Sequence, residues 1–118
     1  MKYIFVVIFF LNIVFAQDVD QFKLTPQQEK VFKRIELSAN QGNAEAQYDL
    51  GRMYALGGVI RQDYAEAFKW FKLSAEQGNA EAQHILGVMY VNGEGARQNY
   101  AEAFKWFKLS ANQGSTPN

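Results

Sequence analysis

Residues 44 to 115 are one 36-residue unit written twice, and nothing else in the chain restricts its fold as much. The copies read AEAQYDLGRMYALGGVIRQDYAEAFKWFKLSAEQGN and AEAQHILGVMYVNGEGARQNYAEAFKWFKLSANQGS. Overlaid without a gap, they agree at 25 of 36 positions. A fixed period of this length describes a supersecondary unit that buries its apolar face only by stacking on a neighbour. The expectation is an all-α chain: a short right-handed solenoid of stacked antiparallel helix pairs, about five helices in all.

The unit contains start and stop signals for two helices. Asn43 precedes a first helix from Ala44 to about Leu56, in which Ala46, Leu50, Met53 and Tyr54 recur at helical spacing and point inward. Gly51 and its twin Gly87 fall mid-helix, where glycine costs about 1 kcal/mol relative to alanine, so close approach of the paired helix is expected there. Gly57 and Gly58 end the first helix. Asp63 to Glu66 reads as a capping box for a second helix reaching about Gln77, with Tyr64, Ala67, Phe68, Phe71 and Ala75 as its core stripe. Trp70 and Leu73 widen that stripe, and Lys72 with Glu76 is an i,i+4 ion pair. The second unit repeats the plan over about 80–92 and 100–112, with Asn99 in the capping role of Asp63.

The period extends upstream. FKRIELSANQGN matches the second half of a second helix, so residues 25–43 form a capping half-unit, opened by a Thr25–Gln28 capping box with Pro26 in the first turn and ended at Gly42. Arg34 and Ile35 replace Trp70 and Phe71, which makes this copy less apolar, as the end of an array requires.

The shared letters, A-E-A-x-x-x-L-G-x-M-Y-x-x-G followed by Y-A-E-A-F-K-W-F-K-L-S-A-x-Q-G, resemble the Sel1-like repeats, relatives of the tetratricopeptide repeat. The resemblance places structural positions on Gly51, Tyr54, Gly57, Trp70 and Gly78, and on Gly87, Tyr90, Gly93, Trp106 and Gly114. Val59 stands where the family usually has glycine, whereas the second unit keeps Gly95; Ala96 and Asn99 depart from valine and aspartate. Membership implies repeats at 44–79 and 80–115 and a tail at 116–118. It also implies an adaptor or scaffold that holds other proteins, in many bacterial members exported and in some engaged in host contact. A cysteine-rich branch acts on beta-lactams, but its disulfides have no counterpart here, since cysteine is absent.

Comparison of the two copies locates the surface free to vary. Second helices are almost identical. First helices differ at Tyr48/His84, Asp49/Ile85, Arg52/Val88, Ala55/Val91 and Leu56/Asn92. At 100° per residue these positions share an arc about 120° wide, outside which the inward residues lie. First helices line the inner curve of helical solenoids, so the expected partner surface is a groove of Tyr48, Arg52 and Ala55 beside His84, Val88 and Val91. Ile85 and Val88 would anchor it, and Arg52 and Tyr48 would supply polar specificity. A solvent-facing arc that drifts freely is the competing reading. The outer face of the last helix, with Phe104, Trp106, Phe107 and Leu109, lacks a following unit and suggests self-association.

The N-terminus reads as a signal peptide. Lys2 precedes an apolar run over residues 3–15, and Val14 and Ala16 supply the small-residue pattern before a cut ahead of Gln17. The run is short beside the roughly 20 residues of a spanning helix, so a membrane anchor is the weaker reading. Residues 17–24 form a polar leader. Cleavage leaves 102 residues with 11 basic and 12 acidic side chains, a balance that favours neither nucleic acid nor an anionic membrane.

The groups that carry chemistry do not converge. His84 is the only histidine, so a metal or other cofactor is not expected. Ser38, Ser74 and Ser110 recur with the period, which marks a structural position rather than a single activated nucleophile. The expected function is an exported, periplasmic or secreted, non-catalytic scaffold for another protein or peptide. The alternatives are a small cell-envelope hydrolase of beta-lactam-active type and a truncated array with residual function.

Overall fold

The computed structural model describes residues 23–114, which form five helices. These are α1 (Pro26–Asn40), α2 (Ala44–Leu56), α3 (Tyr64–Glu76), α4 (Ala80–Asn92) and α5 (Tyr100–Gly114). Each helix packs on the one before it and the one after it. The signal peptide expected over residues 1–16, most of the expected polar leader at 17–24 and the tail at 116–118 lie outside the described residues.

Each helix starts where its capping side chain requires. Gln28 N donates to Thr25 Oγ1 at 3.2 Å while Thr25 N donates to Gln28 Oε1 at 3.0 Å, completing a capping box. Asn43 accepts from Ala46 N and Asn79 from Ala82 N, both at 2.8 Å. Asp63 and Asn99 accept from Glu66 N and Glu102 N at 3.1 and 3.0 Å. Glu66 does not complete the box expected of it. The Asp63 N–H it would have satisfied already donates to the Tyr54 carbonyl at 2.9 Å, and Glu66 pairs with Lys69 at 3.6 Å. That is the ion pair made on α3, rather than Lys72 with Glu76.

The core runs between the helices as two connected clusters. Ala39, Ala46, Leu50 and Trp70 join the half-unit to the first repeat. Ala67, Phe71, Ala75, Ala82, Leu86 and Met89 join the first repeat to the second. Two residues assigned to the α3 stripe face outward instead. Tyr64 is exposed and its hydroxyl accepts from Gln62 Nε2, while Leu73 lies on the outer side among Lys69, Lys72 and Glu76.

Gly51 and Gly87 are notches for the paired helix. A β-carbon on either would stand 2.8 Å from the Phe71 ring or 2.7 Å from the Phe107 ring.

A polar ladder, silent in the apolar pattern, fixes the stacking. Gln47 is buried on α2; its Nε2 donates to the Ala39 carbonyl of α1 at 3.1 Å, and its Oε1 accepts from Gln77 Nε2 beyond α3 at 2.7 Å. Gln83 repeats this one period later, with the Ala75 carbonyl at 3.1 Å and Gln113 at 2.9 Å. Ser74 Oγ donates to the Ala44 carbonyl at 2.6 Å and Ser110 Oγ to that of Ala80 at 2.8 Å.

The two loops that join first to second helices diverge, as their sequences do. Gly95 adopts φ +71°, where a β-carbon would run into the Tyr64 carbonyl and Phe68, while Val59 has an ordinary negative φ and the turn is made at Gly57 and Gly58. Gly114 departs from the expected pattern too. Gly42 and Gly78 end their helices at φ +96° and +99°, drawn there by Asn43 and Asn79 N–H groups donating to the Ser38 and Ser74 carbonyls. Gly114 instead belongs to the last turn of α5.

Candidate functional site

The first helices α2 and α4 line one side of the stack, with α3 behind them. Between them is a groove of about 230 Å³. Arg52, Ala55 and Leu56 form its α2 wall, and Ile85, Val88 and Met89 its α4 wall. Tyr64 and Phe71 of α3 make the floor, and Glu94 closes one end. The surface is mostly hydrocarbon, with one guanidinium and one carboxylate at its edges. Its volume suits a large apolar side chain, and the two charges can orient what carries it.

Five residues singled out by divergence between the copies meet here: Arg52, Ala55, Leu56, Ile85 and Val88. The other five do not. Tyr48 shares a neighbouring hollow with Glu81, His84 and Ile85. Its ring packs on Phe71, with centroids 5.9 Å apart, as His84 packs on Phe107 at 5.4 Å, so both rings shield the core as well as facing outward. Asp49 faces α1 in a third hollow. Asn92 Nδ2 donates to Glu94 Oε1 at 2.7 Å, and the Val91 carbonyl accepts from Gln98 Nε2 at 2.8 Å.

The expected pairing of Tyr48, Arg52 and Ala55 with His84, Val88 and Val91 therefore slides. Residues 52, 55 and 56 meet 85, 88 and 89, three positions before their own counterparts 88, 91 and 92. Successive solenoid units are offset along the helix axis, and the offset draws Val91 and Asn92 out of the groove. Arg52 lies 5.7 Å from the Tyr48 ring centroid, a cation–π arrangement that holds its head at the rim. Among the described residues it makes no ion pair.

Tyr64, Phe71, Met89 and Glu94 contribute to the groove without having been expected there. Tyr64, Phe71 and Met89 are identical to their counterparts, so comparison of the copies is blind to them. Glu94 differs from Gly58, a signal visible in the loop but outside the helices compared.

The repeated serines are structural bridges, as their Oγ donation to helix carbonyls shows at Ser74 and Ser110. Among the described residues, no group of three or more His, Asp or Glu side chains is placed to hold a metal ion. No helix among them is long and apolar enough to cross a membrane.

Stacked helix pairs with an apolar groove along the first helices define a helical-repeat interaction module. The family follows from the repeat itself: the Sel1 repeat matches residues 44–79 and 80–115, and the chain belongs to the Sel1 repeat family. Repeats of this kind act as non-catalytic modules that mediate protein–protein interactions. Three solved structures are similar. A protective antigen of uropathogenic Escherichia coli is 37% identical over 71% of this chain, with a TM-score of 0.69. A Sel1 repeat protein from Oxalobacter formigenes is 31% identical over 70%, with a TM-score of 0.68. Helicobacter pylori cysteine rich protein B shares the fold at 22% identity over 74%, with a TM-score of 0.70. The chain spans 18%, 63% and 65% of these proteins, respectively. No curated protein matches it.

Proposed function

We propose that this chain is an exported scaffold that holds another protein or peptide along the groove between α2 and α4, in the bacterial envelope or in contact with a host. The observation that carries the reading is convergence. Positions at which two otherwise matching helices have diverged gather around one apolar groove, at Arg52, Ala55, Leu56, Ile85 and Val88. A freely drifting solvent face would have no reason to become apolar where the units meet. Val88 is 37% exposed, an apolar side chain left open on α4 where the first unit has Arg52.

Export is supported by the N-terminal residues: Lys2, an apolar run to Phe15 and small residues at Val14 and Ala16. The protective antigen among its relatives accords with host exposure.

The test is capture of a binding partner from envelope and host-cell extracts by three proteins: the natural chain, the Arg52→Glu/Val88→Glu double variant, and Lys69→Glu on the opposite side. A partner held by the natural chain and by Lys69→Glu, and bound at least about tenfold more weakly by the double variant, supports the groove. A partner held equally by all three overturns it. Mass spectrometry of the recovered chain reads export directly: a start at Gln17 outside the cytosol is expected, and an intact N-terminus inside it contradicts the assignment.

A further inference from the structure

We infer that the segment held between α2 and α4 is an extended peptide with a central aromatic residue. An acidic residue lies two positions to one side of that ring and a basic residue two positions to the other. The inference rests on the groove reading above and assigns the chemistry of the occupant.

The hollow selects the ring. It measures about 230 Å³, with Tyr64, Phe71 and Met89 among its lining side chains. Two rings and a thioether favour an aromatic guest over an aliphatic one, because ring edges and sulfur both gain from a further ring. One hollow offers one anchor site, whereas a bound helix presents a run of anchors at every third or fourth residue.

The edges select the charges. Arg52 is exposed, its guanidinium 5.7 Å from the Tyr48 ring centroid, and among the described residues no carboxylate pairs with it. Glu94 Oε1 accepts from Asn92 Nδ2 at 2.7 Å, and among the described residues no cation pairs with that carboxylate. The groove therefore offers a cation at one edge and an anion at the other, and a segment bearing both signs satisfies each. A segment with two like charges meets repulsion at one edge.

The spacing selects the extended chain. Arg52 stands beside Ile85, and from Ile85 to the end of α4 at Asn92 is about 10 Å of helix axis, at about 1.5 Å per residue. Glu94 N donates to the Met89 carbonyl at 3.0 Å, which folds Glu94 back over that end. The head of Arg52 leans toward Tyr48, away from Glu94, and lengthens the span. In an extended peptide alternate side chains share one face, and four residue steps cover about 13 Å at about 3.3 Å each. An acid, a ring and a base at alternate positions thus reach Arg52, the hollow and Glu94 together.

The experiment is a magnetic-resonance titration of the isotope-labelled chain with four end-blocked peptides, followed at the amides of Ile85, Val88 and Glu94. The cores are Glu-Ser-Phe-Ser-Lys, Glu-Ser-Phe-Ser-Glu, Lys-Ser-Phe-Ser-Lys and Glu-Ser-Ala-Ser-Lys. The natural chain should bind the mixed phenylalanine peptide about two- to fivefold more tightly than either like-charged one, and the alanine peptide least. Arg52→Glu should bind the double-lysine peptide best, and Glu94→Lys the double-glutamate peptide best. The two edges are varied separately, so a fold lost in one variant leaves the other to decide. A ranking that neither reversal changes, equal binding of the alanine peptide, or shifts confined to residues outside the groove would overturn the inference. If the peptides fail while the extract partner still distinguishes the natural chain from Arg52→Glu/Val88→Glu, the motif is wrong and the groove stands. If the partner is indifferent to that variant as well, the groove reading falls with it.

Discussion

Phe71 of α3 lies so close to the backbone of α2 that a β-carbon at Gly51 would stand 2.8 Å from its Cδ1 atom. The same relationship joins Phe107 to Gly87 at 2.7 Å. A glycine that weakens its own helix is thus the condition for the helix pair to close. Gly51→Ala gains about 1 kcal/mol of helix propensity but forces the ring aside, at about 1–3 kcal/mol for an overpacked core. Net destabilisation is expected in urea unfolding. Phe71→Leu should relieve part of it in a double-mutant cycle, and strictly additive effects would disprove the contact.

The buried amides carry the stacking between units. Gln47→Ala leaves the Ala39 carbonyl and the Gln77 amide without their partner, and should cost about 1–3 kcal/mol. Gln62→Ala removes hydrogen bonds of similar length in an exposed loop and should cost less than about 1 kcal/mol, because water replaces them. Equal losses for the two variants would show that burial is not what gives Gln47 its weight.

Exchanging the loop residues between the copies should be asymmetric. Gly95→Val sets a branched side chain at φ +71° and against the Tyr64 carbonyl, with an expected loss of at least about 2 kcal/mol. Val59→Gly relieves nothing and loses only a half-buried side chain and some chain stiffness, at about 1 kcal/mol. Thermal unfolding of the two single variants measures the difference.

Burial raises the pKa of the Tyr54 phenol above its ordinary value of 10.0, with Glu66, Glu36 and Asp63 adding to the effect. Between the ordinary value and the raised one, the unfolded chain has lost the proton that the folded chain keeps. Stability from this group is therefore complete below about pH 10 and is lost as pH rises through the folded pKa. Tyr54→Phe should show a shallower decline of melting temperature above pH 10 than the natural chain. Identical slopes would mean that Tyr54 titrates alike in both states.

The sequence by itself determined the helices, their caps and the period, because these follow from local chemistry: Thr25 with Gln28, the asparagines at 43 and 79, and a 36-residue spacing that admits only stacking. It also marked the notches, since a glycine amid Leu50 and Met53 has no purpose except close approach. Tertiary structure alone decided the offset between units. No residue encodes that slide locally, and it moves Arg52 from beside Val88 to beside Ile85, and Ala55 from beside Val91 to beside Val88. The Gln47 and Gln83 ladder was likewise hidden, because a glutamine reads as surface until both its amide groups find buried partners. Tyr64 and Phe71 entered the groove unannounced for a related reason. A residue repeated identically looks purely structural, yet Tyr64 and Phe71 line the groove between the units. Helices are set by neighbours in sequence, whereas a groove is set by how whole helices sit against each other, and that balance of contacts exists only once the stack has formed.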